Sequence, residues 1–138
     1  MPQGMICAAQ PESTEAGALI MRAGGNAVDG AIACALVAGV VDPMMTGIAG
    51  FGSGQFYLPG KGIHECIDFH GKTPGAARGD MWADLLEGET RDGFGFVLKG
   101  RVNDLGYQSI ATPGSLKGFH AAHSRYGKLA WADVIAPV

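Results

Sequence analysis

The stretch Gly47-Ile48-Ala49-Gly50-Phe51-Gly52-Ser53-Gly54-Gln55-Phe56 constrains this chain most. Four of its ten residues are glycine, and it runs from a long alanine-rich segment straight into a strand candidate. Glycine loses more backbone freedom on folding than any other residue. A run this dense is therefore explained by close packing of backbone against another element or a ligand. The sequence places no complete catalytic set beside it.

The segments around the run can be read from their periodicity and breakers. Met5 to Ala9 is a short apolar run that reads as a strand. Pro11 breaks it and can open a helix, predicted over Glu12 to Ala23, with Ala16, Leu19, Ile20 and Ala23 at helical spacing. Gly24 and Gly25 close it. Asn26 is the next N-cap, and Asp29, three residues on, brings negative charge to the exposed N–H groups of a second helix. That helix, Ala27 to Val40, is apolar nearly all round and built of small residues, so neighbouring polypeptide must cover it on several sides. Asp42-Pro43 ends it.

Beyond the glycine run, Gln55 to Leu58 and Ile63 to Phe69 read as strands joined into a hairpin by Pro59-Gly60-Lys61-Gly62. A loop from Gly71 to Gly79 follows. A short helix is predicted over Asp80 to Leu86, and a turn-rich surface excursion over Glu87 to Gly106. Ser115 to Tyr126 is a clear helix closed by Gly127. Another helix begins near Trp131 and runs towards Val138. A domain rarely stops inside a fresh helix, so the expectation is that residues 1–138 are one piece of a longer product and not a complete domain.

Composition narrows the function classes. Hydrophobic residues make up 47% and charged residues 17%, a balance that favours a chain burying much of its surface against a partner. A net charge of −3 argues against nucleic acid as a partner. No run reaches the roughly 18 apolar residues of a membrane span. Ala27 to Val41 falls short and carries Asp29. Cys7, Cys34 and Cys66 lie far apart in apolar contexts and read as buried, inert thiols.

Several side chains invite a chemical reading. His64, Glu65, His70, His120 and His123, with Cys66 or Asp68, could be metal donors. Two histidines three apart on one helix and no HExxH pattern make structural or surface histidines the better reading, and no metal or cofactor is expected. The glycine run lacks the Gly-Lys-Ser/Thr ending of a phosphate loop and precedes a strand rather than joining strand to helix. Ser53 lacks the nucleophile-elbow pattern. His70 stands apart. It follows a strand just where the chain enters a glycine-proline loop, a common place for a substrate-facing side chain. A surface histidine capping the turn is the alternative.

Five segments, in order along nearly the whole chain, resemble the gamma-glutamyltranspeptidase family. They are Glu12-Ser13-Thr14-Glu15-Ala16-Gly17; Arg22-Ala23-Gly24-Gly25-Asn26-Ala27-Val28-Asp29-Gly30-Ala31-Ile32-Ala33; Pro43-Met44-Met45-Thr46 running into Gly47 to Gly54; Ile67-Asp68-Phe69-His70-Gly71-Lys72-Thr73-Pro74; and Ala111-Thr112-Pro113-Gly114-Ser115-Leu116-Lys117-Gly118-Phe119. The resemblance implies an α+β fold, the αββα sandwich of N-terminal-nucleophile hydrolases, with only its N-terminal part present. It implies a self-cleaving precursor several times longer, with these residues opening the large subunit. The nucleophile would be the threonine that starts the small subunit, with its own amine as base. The oxyanion hole would also lie there, so no catalytic residue is expected in this chain. Its partners would be the remainder of the large subunit and the small catalytic subunit, and its substrate a small amide or peptide.

The resemblance assigns one substrate-binding position here. An arginine just after the Ile-Asp-Phe strand holds the substrate α-carboxylate in the family, and His70 occupies that position. Arginine offers a fixed, always-charged fork; imidazole offers one or two donors and titrates. Lys72 and Arg78 lie close in sequence and could replace the lost charge. The departure opens two alternatives: an amidase of the cephalosporin-acylase kind on the same fold, or a non-catalytic scaffold homologue.

Overall fold

A computed structural model describes residues 4–138. They divide into two compact units, residues 4–71 with 113–138, and residues 72–112.

The larger unit is built around two helices. Helix α1 spans Pro11–Arg22, with proline in its first turn, Glu12 near its N-terminus and Arg22 near its C-terminus. Gly24, at φ 97°, and Gly25 close it, the Gly25 amide donating to the Ile20 carbonyl at 3.0 Å. Helix α2 spans Ala27–Val41. The Asn26 side chain accepts from the Val28 and Asp29 amides at 2.9 and 3.1 Å, and the Asp29 carboxylate accepts from the Asn26 amide at 2.9 Å. This is a reciprocal cap. The two helices meet at glycines: a Cβ on Gly17 would stand 2.8 Å from the Gly30 carbonyl oxygen.

Antiparallel strands β1 (Ser53–Leu58) and β2 (Ile63–Asp68) pair from Ser53↔Asp68 to Leu58↔Ile63. A 3₁₀ turn over Pro59–Lys61 and Gly62 at φ 67° join them. Phe56, Ile63 and Ile67 share the half-buried face. Helix α3 (Ser115–Tyr126) buries Ser115, Gly118 and Ala122, one stripe at helical spacing. Helix α4 spans Trp131–Ile135. The core consists of Ile20, Val28, Ile32, Ala33, Leu36, Ala122 and Val134, with Phe56, Ile67, Phe119 and Trp131 against it. Glu65 ties β2 to α3 by accepting from the Tyr126 hydroxyl and, at 3.0 Å, from Arg125. The Tyr126 hydrogen bond, then those of Arg125, outweigh desolvation and hold the Glu65 carboxyl below its ordinary value.

The smaller unit, residues 72–112, carries one hairpin, β3 (Leu86–Glu89) with β4 (Phe96–Leu98). Its turn is set by Gly93 at φ 74° and by Asp92, which accepts from the Thr90 hydroxyl at 2.6 Å and the Phe94 amide at 3.1 Å. The fold is α+β, and the described strands form two separate hairpins.

Five expectations are corrected. Met5 to Ala9 is not a strand; without a partner strand it runs as irregular chain into α1, the Ala8 amide donating to the Thr14 hydroxyl at 3.1 Å. Asp80 to Leu86 is not a helix. It holds a single 3₁₀ turn, Ala83–Leu85, because so few residues cannot offset helix nucleation and Leu86 pairs with Leu98 instead. The excursion over Glu87 to Gly106 contains that hairpin. Of the three cysteines only Cys34 is buried; Cys66 lies on the outward parity of β2, opposite Gln55, and Cys7 on the irregular segment before α1. The helix near Trp131 ends at Ile135, two residues before Pro137.

Candidate functional site

The glycine run and the end of β2 meet around Phe69. The Phe69 amide donates to the Gly52 carbonyl at 3.0 Å. The Gly114 and Ser115 amides, at the start of α3, both donate to the Gly50 carbonyl, at 2.9 and 3.3 Å. The Phe69 ring lies against Gly118 and meets Phe119 edge-on, 5.5 Å between centroids. A Cβ on Gly52 would stand 2.9 Å from that ring, one on Gly118 would enter it, and one on Gly114 would collide with the Phe69 carbonyl. The glycines are thus required by the aromatic side chain they enclose.

With Phe69 locked inward, the next residue, His70, faces outward. Its side chain is 58% exposed. The His70 amide donates to Asp68 Oδ1 at 3.0 Å, and ring Nδ1 lies 2.7 Å from the same oxygen. A carboxylate only accepts, so the proton sits on Nδ1. Phe51, from the glycine run, stacks on the imidazole at 5.3 Å and 29°. Asp68 and Phe51 are the partners sequence reasoning did not assign to His70. The i, i+2 spacing of Asp68 and His70 is a signal for the first; nothing local points to Phe51.

The other candidates disperse. His64 Nε2 lies 3.1 Å from the Gln55 amide nitrogen, on the hairpin's outer face. His120 stacks edge-on against Trp131. His123, only 12% exposed, donates from Nε2 to the Leu129 carbonyl at 2.9 Å, with Asp29 at 3.7 Å. Among the described residues no group of three or more His, Cys, Asp or Glu is arranged to hold a metal ion. Ser53 opens β1 opposite Asp68 and is exposed. Arg78 pairs with Asp80 at 3.4 Å, and the Lys72 backbone bridges to Thr112. The smaller unit also holds an open cavity of about 760 Å³ lined mainly by apolar side chains, among them Trp82, Phe96, Leu98 and Ile110. No described helix is long and apolar enough to cross a membrane.

Residues 13–138 match the Gamma-glutamyltranspeptidase family. The chain belongs to the gamma-glutamyltranspeptidase family. Within it, the chain is 39% identical to the Acylase ACY 1 proenzyme of Pseudomonas sp. strain V22, over 98% of this chain and 24% of that protein. It is 32% identical to the Glutathione hydrolase proenzyme of Pseudomonas aeruginosa, over 97% of this chain and 22% of that protein. Its fold is that of the gamma-glutamyltranspeptidase from Pseudomonas nitroreducens complexed with L-DON, at a TM-score of 0.82 and 28% identity, covering 99% of this chain and 38% of that one. The chain thus spans about a quarter of the length of the curated gamma-glutamyltranspeptidase relatives it matches.

Proposed function

We propose that residues 1–138 are the N-terminal portion of the large subunit of a gamma-glutamyltranspeptidase-like N-terminal-nucleophile hydrolase. The whole enzyme transfers or hydrolyses a gamma-glutamyl or related acyl group through a threonine outside this chain. That threonine attacks the amide carbonyl with its own amine as base; the amine leaving group departs, and water or an acceptor amine releases the acyl group. The partners are the rest of the large subunit and the small catalytic subunit, and the substrate is a small amide or peptide. His70 positions the polar end of the acyl donor. The observation that carries this is its placement: an outward imidazole held by Asp68 at the end of β2, above a glycine-lined, packed Phe69.

A second reading, an acylase acting on other amides, is favoured by histidine at the arginine position and by the 39% identity to an acylase proenzyme. The full precursor separates the readings. Self-cleavage exposing an N-terminal threonine, followed by amide hydrolysis, supports an enzyme of either kind; a precursor that neither cleaves itself nor hydrolyses amides is a scaffold. His70→Arg should lower KM for gamma-glutamyl donors by roughly tenfold, the scale of one charge-assisted contact. An unchanged KM removes His70 from the donor site.

A further inference from the structure

We propose that the loop from Asp42 to Gly52 is the seat of the small catalytic subunit, whose chain lies over Met44, Met45, Ile48 and Phe51. The inference rests on the acyl-transfer reading above and says which surface that partner covers. The backbone of the loop is tied down along its length. The Met45 and Thr46 amides donate to the Asp42 carbonyl at 3.1 and 3.2 Å, and the Gly50 amide donates to the Gly47 carbonyl at 3.3 Å. Gly47 lies against α2: a Cβ on Gly39 would stand 3.2 Å from the Gly47 Cα. The Gly50 carbonyl is held by the first amides of α3, and the Gly52 carbonyl by the Phe69 amide. On this fixed backbone the four large apolar side chains are exposed, and none belongs to the core. The loop is thus ordered before a partner arrives, which lowers the cost of association. Methionine and phenylalanine are the side chains that interface centres favour.

Reach decides which polypeptide covers them. Under the proposed function the nucleophile lies outside this chain, and His70 positions the far end of the acyl donor. A gamma-glutamyl chain measures about 5 Å from its reacting carbonyl carbon to its carboxylate carbon. With a hydrogen bond at one end and a near-attack contact at the other, the threonine hydroxyl stands within about 11 Å of the His70 ring. The inward side of this strand end is filled by Phe69, Gly118 and Phe119, so the threonine approaches from the outward side. There Phe51 stacks on the imidazole at 5.3 Å. Ile48, three residues earlier, is within about 11 Å of Phe51 along the chain. The polypeptide that carries the threonine therefore passes over Phe51 and meets Ile48 and the two methionines beyond it. The chemistry requires the small subunit to come this close to His70, and requires it of no other part of the precursor.

The test uses the full precursor after self-cleavage, carrying the photoreactive replacement Met45→p-benzoylphenylalanine or Ile48→p-benzoylphenylalanine. Irradiation should join the two subunits into one band on a denaturing gel, and peptide mapping should place the attachment in the small subunit. In a separate measurement, Ile48→Asp should raise the dissociation constant of the two subunits about tenfold or more, the scale of a buried apolar contact at an interface centre, while Ile48→Leu stays within about twofold. Attachment confined to the large subunit, or no attachment at either position, overturns the inference and leaves the acyl-transfer reading intact. So does a dissociation constant unmoved by Ile48→Asp. A precursor that neither cleaves itself nor hydrolyses amides sinks both.

Discussion

Asp29 is a carboxylate with no exposure to solvent, and everything around it is arranged to accept that. It receives the Asn26 amide at 2.9 Å, the Lys128 amide at 3.1 Å and the Leu129 amide at 3.3 Å, with His123 Nε2 3.7 Å away. One side chain thus caps α2 and fastens the turn between α3 and α4 to it. Removing the acceptor strands three backbone donors, so Asp29→Ala should destabilise the full precursor by about 2–4 kcal/mol, and Asp29→Asn, which keeps one acceptor oxygen, by less. Urea midpoints of the three proteins measure this; an alanine variant within about 0.5 kcal/mol of wild type would refute it. Half of this role is legible in the sequence, because Asn26 and Asp29 stand at capping distance. The other half is not, since Lys128 lies 99 residues away and spacing rules see only neighbours. His70 repeats the pattern: its place at a strand end can be read from the chain, and its stacking on Phe51 cannot.

At the scale of elements, the glycines are placed where one strand end must approach one helix. Gly52, Gly114 and Gly118 each leave room for Phe69, and Gly17 leaves room for Gly30 between α1 and α2. Gly118→Ala should push the Phe69 ring from α3 and move the adjoining His70. Overpacking of this kind costs about 1–3 kcal/mol, and KM for the acyl donor should rise several-fold while kcat changes less. An alanine variant with wild-type stability and KM would show that α3 yields without moving the strand end. The helices and the β1–β2 hairpin could be read from the chain because capping residues, breakers and turn glycines mark them locally; α3 is found at the bounds expected, Ser115 to Tyr126. Met5 to Ala9 misleads because an apolar run becomes a strand only when a partner edge is available, which is a tertiary fact. Asp80 to Leu86 misleads because the competing pairing, Leu86 with Leu98, is set by the turn at Thr90 to Gly95 beyond it.

The whole molecule exposes 9780 Å², whereas a compact monomer of its 14.2 kDa would expose about 6,800 Å². Treating its two units as separate compact bodies raises that figure only to about 8,000 Å². Many large apolar side chains are exposed. Met44 is 90% and Met45 81% exposed, beside Ile48 and Phe51 in the glycine run; Phe94, Phe96 and Tyr107 are exposed in the smaller unit. Helix α2 buries one side and leaves Ala27, Ala31, Val40 and Val41 open. The expectation is that neighbouring polypeptide covers this helix on several sides; the described residues bury Val28, Asp29, Gly30, Ile32, Ala33, Cys34, Leu36 and Val37 and leave the rest of its surface uncovered or half-covered. Under the proposed function, the remaining surface is covered by the rest of the large subunit and by the small subunit. Residues 1–138 produced alone should then bind a hydrophobic dye strongly, associate as concentration rises and unfold over a broad urea range. The full precursor should do none of these. If the isolated residues instead sediment as a monomer and unfold sharply, with a urea slope above about 1 kcal/mol/M, they close their own interior, and the proposal that they are part of a larger subunit loses its physical basis.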